Sequence, residues 1–205
     1  MASDPDPLEL PADQREAGGW ELVEESVETL FELPGVRVRG TMRRYEDEHT
    51  RAALREATDG TIDHQVRFVA TTRLGFEPPL PPATLPAMLL PTLLPEARGS
   101  VADRLRDRGL TDVSRDGTER IRGDDRTRIR LTRYHATDPM PDTDRELPLE
   151  CWLAVWPGDP IAVVTTGYPA TSLASRFDLD TEEPALTRGG NDYRQAFLSL
   201  LRALA

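Results

Sequence analysis

Between residues 111 and 168 four extended runs follow one another: Val113 to Ile121, Thr127 to His135, Leu147 to Trp156 and Ile161 to Tyr168. Gly123-Asp124-Asp125 parts the first two, and Pro157-Gly158-Asp159-Pro160 parts the last two. Glycine and aspartate reach turn conformations cheaply, and an aspartate carboxylate can accept from nearby amides, so both breaks read as hairpins. An antiparallel meander follows, and it limits the chain to sheet-centred folds.

The flanking segments extend that sheet. Trp20 to Leu33 has mixed periodicity and reads as a strand, because Pro34-Gly35 turns it into Val36 to Arg43, a clean period of two. A short helix is expected from Thr50 to Ala57, stopped by Asp59-Gly60. Ile62 to Phe76 alternates, with Ile62, His64, Val66, Phe68, Ala70 and Leu74 on one side. Pro78 to Pro95 holds seven prolines (78, 79, 81, 82, 86, 91 and 95), which argues for a leucine-padded crossover with short helical turns. Ser100 is then the expected N-cap of a helix from Val101 to Arg108, with Gly109 as its stop. After a polar loop from Arg176 to Gly190, a last helix begins at Asn191 or Asp192. Its Tyr193, Phe197, Leu200, Leu201 and Leu204 recur at three- and four-residue steps, one face down on the sheet. The expected class is α+β, a central antiparallel sheet flanked by helices. Residues 1–18 are expected to be a disordered acidic tail, and 19–205 a single domain.

Charge speaks of environment. The formal net charge is -11, and all 25 basic residues are arginine, with no lysine. Carboxylates hold hydration and keep a protein dispersed while salt screens their repulsion, so a halophilic archaeal source is the expected one; an arginine bias from a GC-rich genome is the alternative. Cys151 is the only cysteine, which excludes an internal disulfide and a thiolate metal cluster. The acidic start Met1-Ala2-Ser3-Asp4-Pro5 lacks the pattern of a signal peptide, and no apolar stretch approaches the ~20 residues that cross a bilayer. The expected location is cytoplasmic, with no membrane partner.

Catalytic patterns are missing. His49, His64 and His135 form no pair at metal-ligand spacing, although His64 and His135 could meet across the sheet. No serine stands in a nucleophile elbow, and Gly18-Gly19 and Gly189-Gly190 are isolated pairs. Asp124-Asp125 and Glu182-Glu183 read as solvated turns. No catalytic, cofactor or metal residue is assigned.

Two features remain as candidate binding groups. Alternation places Arg37, Arg39 and Arg43 away from Val36, Val38 and Met42; Arg67 and Arg73 away from Val66, Phe68 and Leu74; and Arg128 and Arg130 away from Ile129 and Leu131. Arg120 and Arg122 are expected to join them. If neighbouring strands match faces, these arginines form one basic surface suited to carboxylate or phosphate. The alternative is a cross-strand lattice with Glu21, Glu119, Asp63 and the acidic helices. Trp152 and Trp156 share a strand face opposite Leu149, Cys151, Leu153 and Val155, either beneath a helix or as an exposed interface anchor.

Element order carries one resemblance. Arg44-Tyr45-Glu46-Asp47 at the end of an early strand, Asp112 to Gly117 after the second helix, and paired strands around Gly158-Asp159 before the helix Tyr193 to Leu204 resemble the Mog1/PsbP-like fold family. That family includes a photosystem accessory subunit and a binder of a small GTPase, so the resemblance implies a platform rather than a reaction. The helix-grip fold of START-like domains is the rival; the short final helix and the proline-rich stretch speak against it. The function expected is that of a non-enzymatic accessory or binding protein, engaging a protein partner or an anionic ligand through the sheet. Alternatives are a small-ligand carrier or unrecognised enzyme with a pocket under the crossover, and nucleic-acid binding, which the net charge and the lack of interleaved aromatics oppose.

Overall fold

The computed structural model describes residues 4–80, 86–140 and 143–205. Its elements in chain order are α1 (Ala12–Ala17), β1 (Trp20–Leu33), β2 (Val36–Asp47), α2 (Glu48–Ala57), β3 (Phe68–Glu77), α3 (Pro86–Asp107), β4 (Thr111–Arg122), β5 (Arg128–Asp138), β6 (Leu147–Trp156), β7 (Ala162–Pro169), α4 (Leu173–Phe177), α5 (Pro184–Thr187) and α6 (Gly190–Leu204). The strands form one seven-stranded sheet in the order β1-β2-β3-β7-β6-β5-β4, with every pair antiparallel. The meander is intact, and its last strand pairs with β3, so β1 and β4 become the two edges. Gly35, at φ +77, makes the expected turn between β1 and β2.

Both faces of the sheet are covered. On one side, the α3 side, Leu90, Leu93, Leu94, Ala97, Val101 and Leu105 pack with Val38, Leu74, Tyr134, Leu153, Val155 and Val163; Leu54 of α2, Leu173 and Phe177 of α4 and Leu186 of α5 join the same core. On the other, the α6 side, Tyr193, Phe197, Leu198, Leu200 and Leu201 pack with Ile129, Leu131, Trp152, Trp156 and Val164. Burying one such large apolar side chain contributes about 1.5–3 kcal/mol, so each stripe is ample to fix its helix.

Three expectations are corrected. The segment from Pro86 to Asp107 is one helix of 22 residues, with Pro91 and Pro95 inside it and Gly99-Ser100 in mid-helix rather than at a start. An internal proline costs about 3 kcal/mol, but both prolines are exposed, and the buried stripe from Leu90 to Leu105 on the opposite side outweighs them. Pro81 and Pro82, part of the expected crossover, lie outside the described residues. Residues 4–18 are not a loose tail: Leu8 and Leu10 are buried in the α6-side core, and the Thr71 hydroxyl donates to the Leu8 carbonyl. Finally, residues 62–67 run into the sheet without strand pairing; β3 begins at Phe68.

Candidate functional site

Cross-strand partners share a face, which tests the single basic surface directly. Arg73 pairs with Ala162, and Ala162 belongs to the α6-side core. Arg130 pairs with Val155, which belongs to the α3-side core. The expected surface is therefore two separate groups. Arg37, Arg39, Arg43, Arg67 and Arg73 are on the α6 side, whereas Arg128 and Arg130, with Arg120 and Arg122 opposite them, are on the α3 side. Each strand keeps its own alternation. What fails is the assumption that the apolar side of every strand is the same side.

The α6-side group is scaffolding. Arg37 pairs with Glu32 and Glu77, Arg39 with Asp4, and Arg43 with Glu9 and Glu25. Those carboxylates push the Arg43 pKa upward, first through the hydrogen bond to Glu9 and then through that to Glu25. Arg67 is the deepest. Its guanidinium bonds the Asp47 carboxylate at 2.7 Å and lies 4.2 Å from the ring centroid of Trp20 and 5.0 Å from that of Tyr193. Asp47 also caps α2, accepting from the Thr50 amide and hydroxyl. This pair locks β2, α2 and α6 together; a cavity of about 230 Å³ lined by Arg67, Trp20 and Tyr193 opens beside it, and the Arg67 Nε is buried without a hydrogen-bond partner among the described residues. Arg73 has no ion-pair partner among the described residues, and its Nε is buried. The carboxylates that hold this group are not the ones expected from sequence; Glu119 and Asp63 pair instead with Arg194 and Arg51.

Of the two expected places for Trp152 and Trp156, the structure has the one beneath a helix and not the exposed one. They are 1% and 5% exposed beneath α6. The Trp152 indole N–H has both the Tyr168 hydroxyl at 2.8 Å and the Glu150 carboxylate at 2.7 Å within reach.

The α3-side group is different in kind. Arg120 stands directly opposite Arg130, and Arg122 opposite Arg128, at the edge formed by β4 and β5. Arg115 lies on the same face, opposite Tyr134. Arg98 reaches it from α3, its Nε donating to the Thr132 hydroxyl at 3.1 Å. None of these six guanidinium groups has an ion-pair partner among the described residues. Arg115, Arg120, Arg122 and Arg128 are exposed. Like charges directly opposite on a sheet repel, and on a chain of net charge -11 a basic patch left uncompensated is conspicuous. Sequence reading found Arg120, Arg122, Arg128 and Arg130; Arg98 and Arg115 needed the register and the course of α3.

The histidines do not meet. His64 hydrogen-bonds Asp138 at 2.8 Å on the α3 side, whereas His135 is bonded to Asp116 at 2.9 Å on the other face. Burial alone would raise the Asp138 carboxyl, but the bonds to His64 and the Met140 amide bring it below its ordinary value. Cys151 is buried nearby, and loss of solvent pushes its thiol up to about 12. No three His, Cys, Asp or Glu side chains converge as a metal site among the described residues. Two cavities open beneath the end of α3. One of about 270 Å³ is lined by His64, Asp138, Arg108 and Leu149, and one of about 420 Å³ by Met42, Ala70, Val101 and Leu105. They lie below residues 101–108, not below the stretch 80–95 where a pocket was expected.

A family model described as Domain of unknown function (DUF6517) matches residues 7–205. No curated protein and no solved structure matches the chain. Among the described residues, no helix is long and apolar enough to cross a membrane.

Proposed function

The chain belongs to that family, and we propose that it is a non-enzymatic binding protein whose α3-side arginines at β4 and β5 receive an acidic segment of a partner protein. One observation carries this reading: six guanidinium groups gather there with no ion-pair partner among the described residues, while most arginines of the opposite face have one. Guanidinium forks accept carboxylates in two-point fashion, and the spacing of a strand pair suits an extended chain bearing acids on alternate residues. β4 is also an edge strand, so its outer backbone groups are available to such a segment. Nucleic acid is the weaker occupant, because the net charge repels a polyphosphate and, among the described residues, the aromatic ring of this lattice, Tyr134, is buried and offers bases no stacking surface.

The order of elements agrees with a Mog1/PsbP-like platform, which is our reading of its ancestry. A halophilic archaeal cytoplasm is the setting that its lysine-free acidic surface suits. In molar salt, long-range attraction is screened within ~3 Å, so contacts there must be close and geometrically matched, as guanidinium–carboxylate forks are.

The test is the binding of poly-L-glutamate by fluorescence anisotropy, in low and in molar salt. Arg128→Glu with Arg130→Glu should abolish it, and Arg37→Glu with Arg39→Glu should leave it within about twofold. Equal affinity of the first variant and the parent would end the proposal.

A further inference from the structure

The two cavities beneath the end of α3 share two walls, Phe68 and Arg108. The Arg108 guanidinium carbon sits over the Phe68 ring, 4.0 Å from its centroid, and both side chains line both spaces. Among the described residues it has no ion pair and no side-chain hydrogen bond; even Asp107, next to it in sequence, is beyond ion-pair distance. Arg108 is exposed as a residue, while the protein near its guanidinium lowers its pKa, first through loss of water and then through Arg44. Gly109 follows at φ +87, the left-handed conformation that commonly ends a helix.

The walls differ in chemistry. In the larger cavity, Met42, Phe68, Ala70, Val101 and Leu105 are apolar. Of the acids in its lining, Glu24 is paired with Arg44, which also holds Glu46, Glu28 is paired with Arg104, and Asp107 has no ion pair among the described residues. The smaller cavity holds the His64–Asp138 pair. At about 420 Å³ the larger space falls within the roughly 300–1,000 Å³ of small-molecule sites. A space with an apolar floor and the unpaired Arg108 guanidinium at its mouth is complementary to an amphipathic organic anion whose head group reaches Arg108 on the side away from Asp107.

We propose that this chamber binds a medium-chain carboxylate, its tail against Met42, Ala70, Val101 and Leu105 and its head group on Arg108, beside His64. Arg108 rests on Phe68, where both cavities meet it. When the ligand binds, the guanidinium trades the ring face for the carboxylate, a stronger, charge-assisted contact. The site is on the same face as the arginines of β4 and β5 but is built from other residues, so the two proposals stand or fall separately.

Calorimetric titration with sodium decanoate below its micelle concentration tests this, with decanol and inorganic phosphate as partial ligands. Decanoate should bind at least about tenfold more tightly than either. Arg108→Gln should weaken decanoate about tenfold or more without changing the weak binding of decanol. Ala70→Leu, which fills the chamber, should weaken both; Arg120→Glu with Arg130→Glu should change neither. Decanoate binding unaffected by Arg108→Gln would overturn the proposal, as would no binding to the parent protein. Binding lost only in the β4–β5 variant would place the anion on the outer lattice and overturn it as well.

Discussion

Two groups of arginines, on opposite faces of one sheet, have had opposite fates. On the α6 side, Arg37, Arg39, Arg43 and Arg67 are each tied to a carboxylate, partly by the N-terminal segment through Asp4 and Glu9. On the α3 side, Arg120, Arg122, Arg128 and Arg130 stand opposite one another with no acid between them. A charge that has a partner inside the fold is used by the fold. A charge without one leaves stability on the table, and a chain with 36 acidic residues could readily have supplied a partner. The difference locates the surface that the protein keeps for something else.

The largest effect that would sharpen this contrast is at Arg67. Arg67→Met leaves Asp47 buried without its cation, and removing one partner of a buried pair costs about 3–5 kcal/mol. Chemical denaturation should show that loss; a change below about 1 kcal/mol would mean that Asp47 finds another donor. A smaller effect is expected at Arg43, whose side chain is 17% exposed and whose partners Glu9 and Glu25 are largely in solvent. Arg43→Ala should cost about 1 kcal/mol, less in high salt. Smallest, and of opposite sign, is the open face. Arg120→Thr relieves the repulsion from Arg130 and should stabilise the protein by up to about 0.5 kcal/mol at low salt. Destabilisation by more than that would show that Arg120 has a structural role.

Acid stability adds a check on the α3 side. Asp138 has a folded pKa below its unfolded one, so its contribution is complete above the ordinary carboxylate range and is lost as pH falls through the lower, folded value. Asp138→Asn should therefore flatten the decline in stability below about pH 4. An unaltered acid limb would show that the bond to His64 contributes nothing.

Much of this fold was legible in the chain. The two β-hairpins of the meander, the strand from Val36 and the closing helix were set by alternation, turn residues and the spacing of Tyr193, Phe197 and Leu201. The long α3 was not, because Pro91 and Pro95 are strong local signals against a helix and only the tertiary burial of Leu90 to Leu105 overrides them. The arginine surface was half legible for a related reason. Period two says which residues of a strand point the same way, but a sheet with a core on each face gives its strands two apolar sides. In β2 the apolar residue Val38 points toward α3, and in β5 Ile129 and Leu131 point toward α6. Only the pairing register resolves that sign. Burial of Trp152 and Trp156 beneath a helix was one of the two expected readings and is the one observed; that the helix is α6 depends on how it lies across β6, which no local pattern records.

The central claim is that the open lattice, and not the paired one, is the binding surface. Backbone hydrogen exchange with and without poly-L-glutamate tests it without altering a residue. Added protection should fall on residues 115–122 and 128–130 and leave residues 37–43 unchanged. Protection on residues 37–43 instead, or nowhere on the sheet, would contradict it.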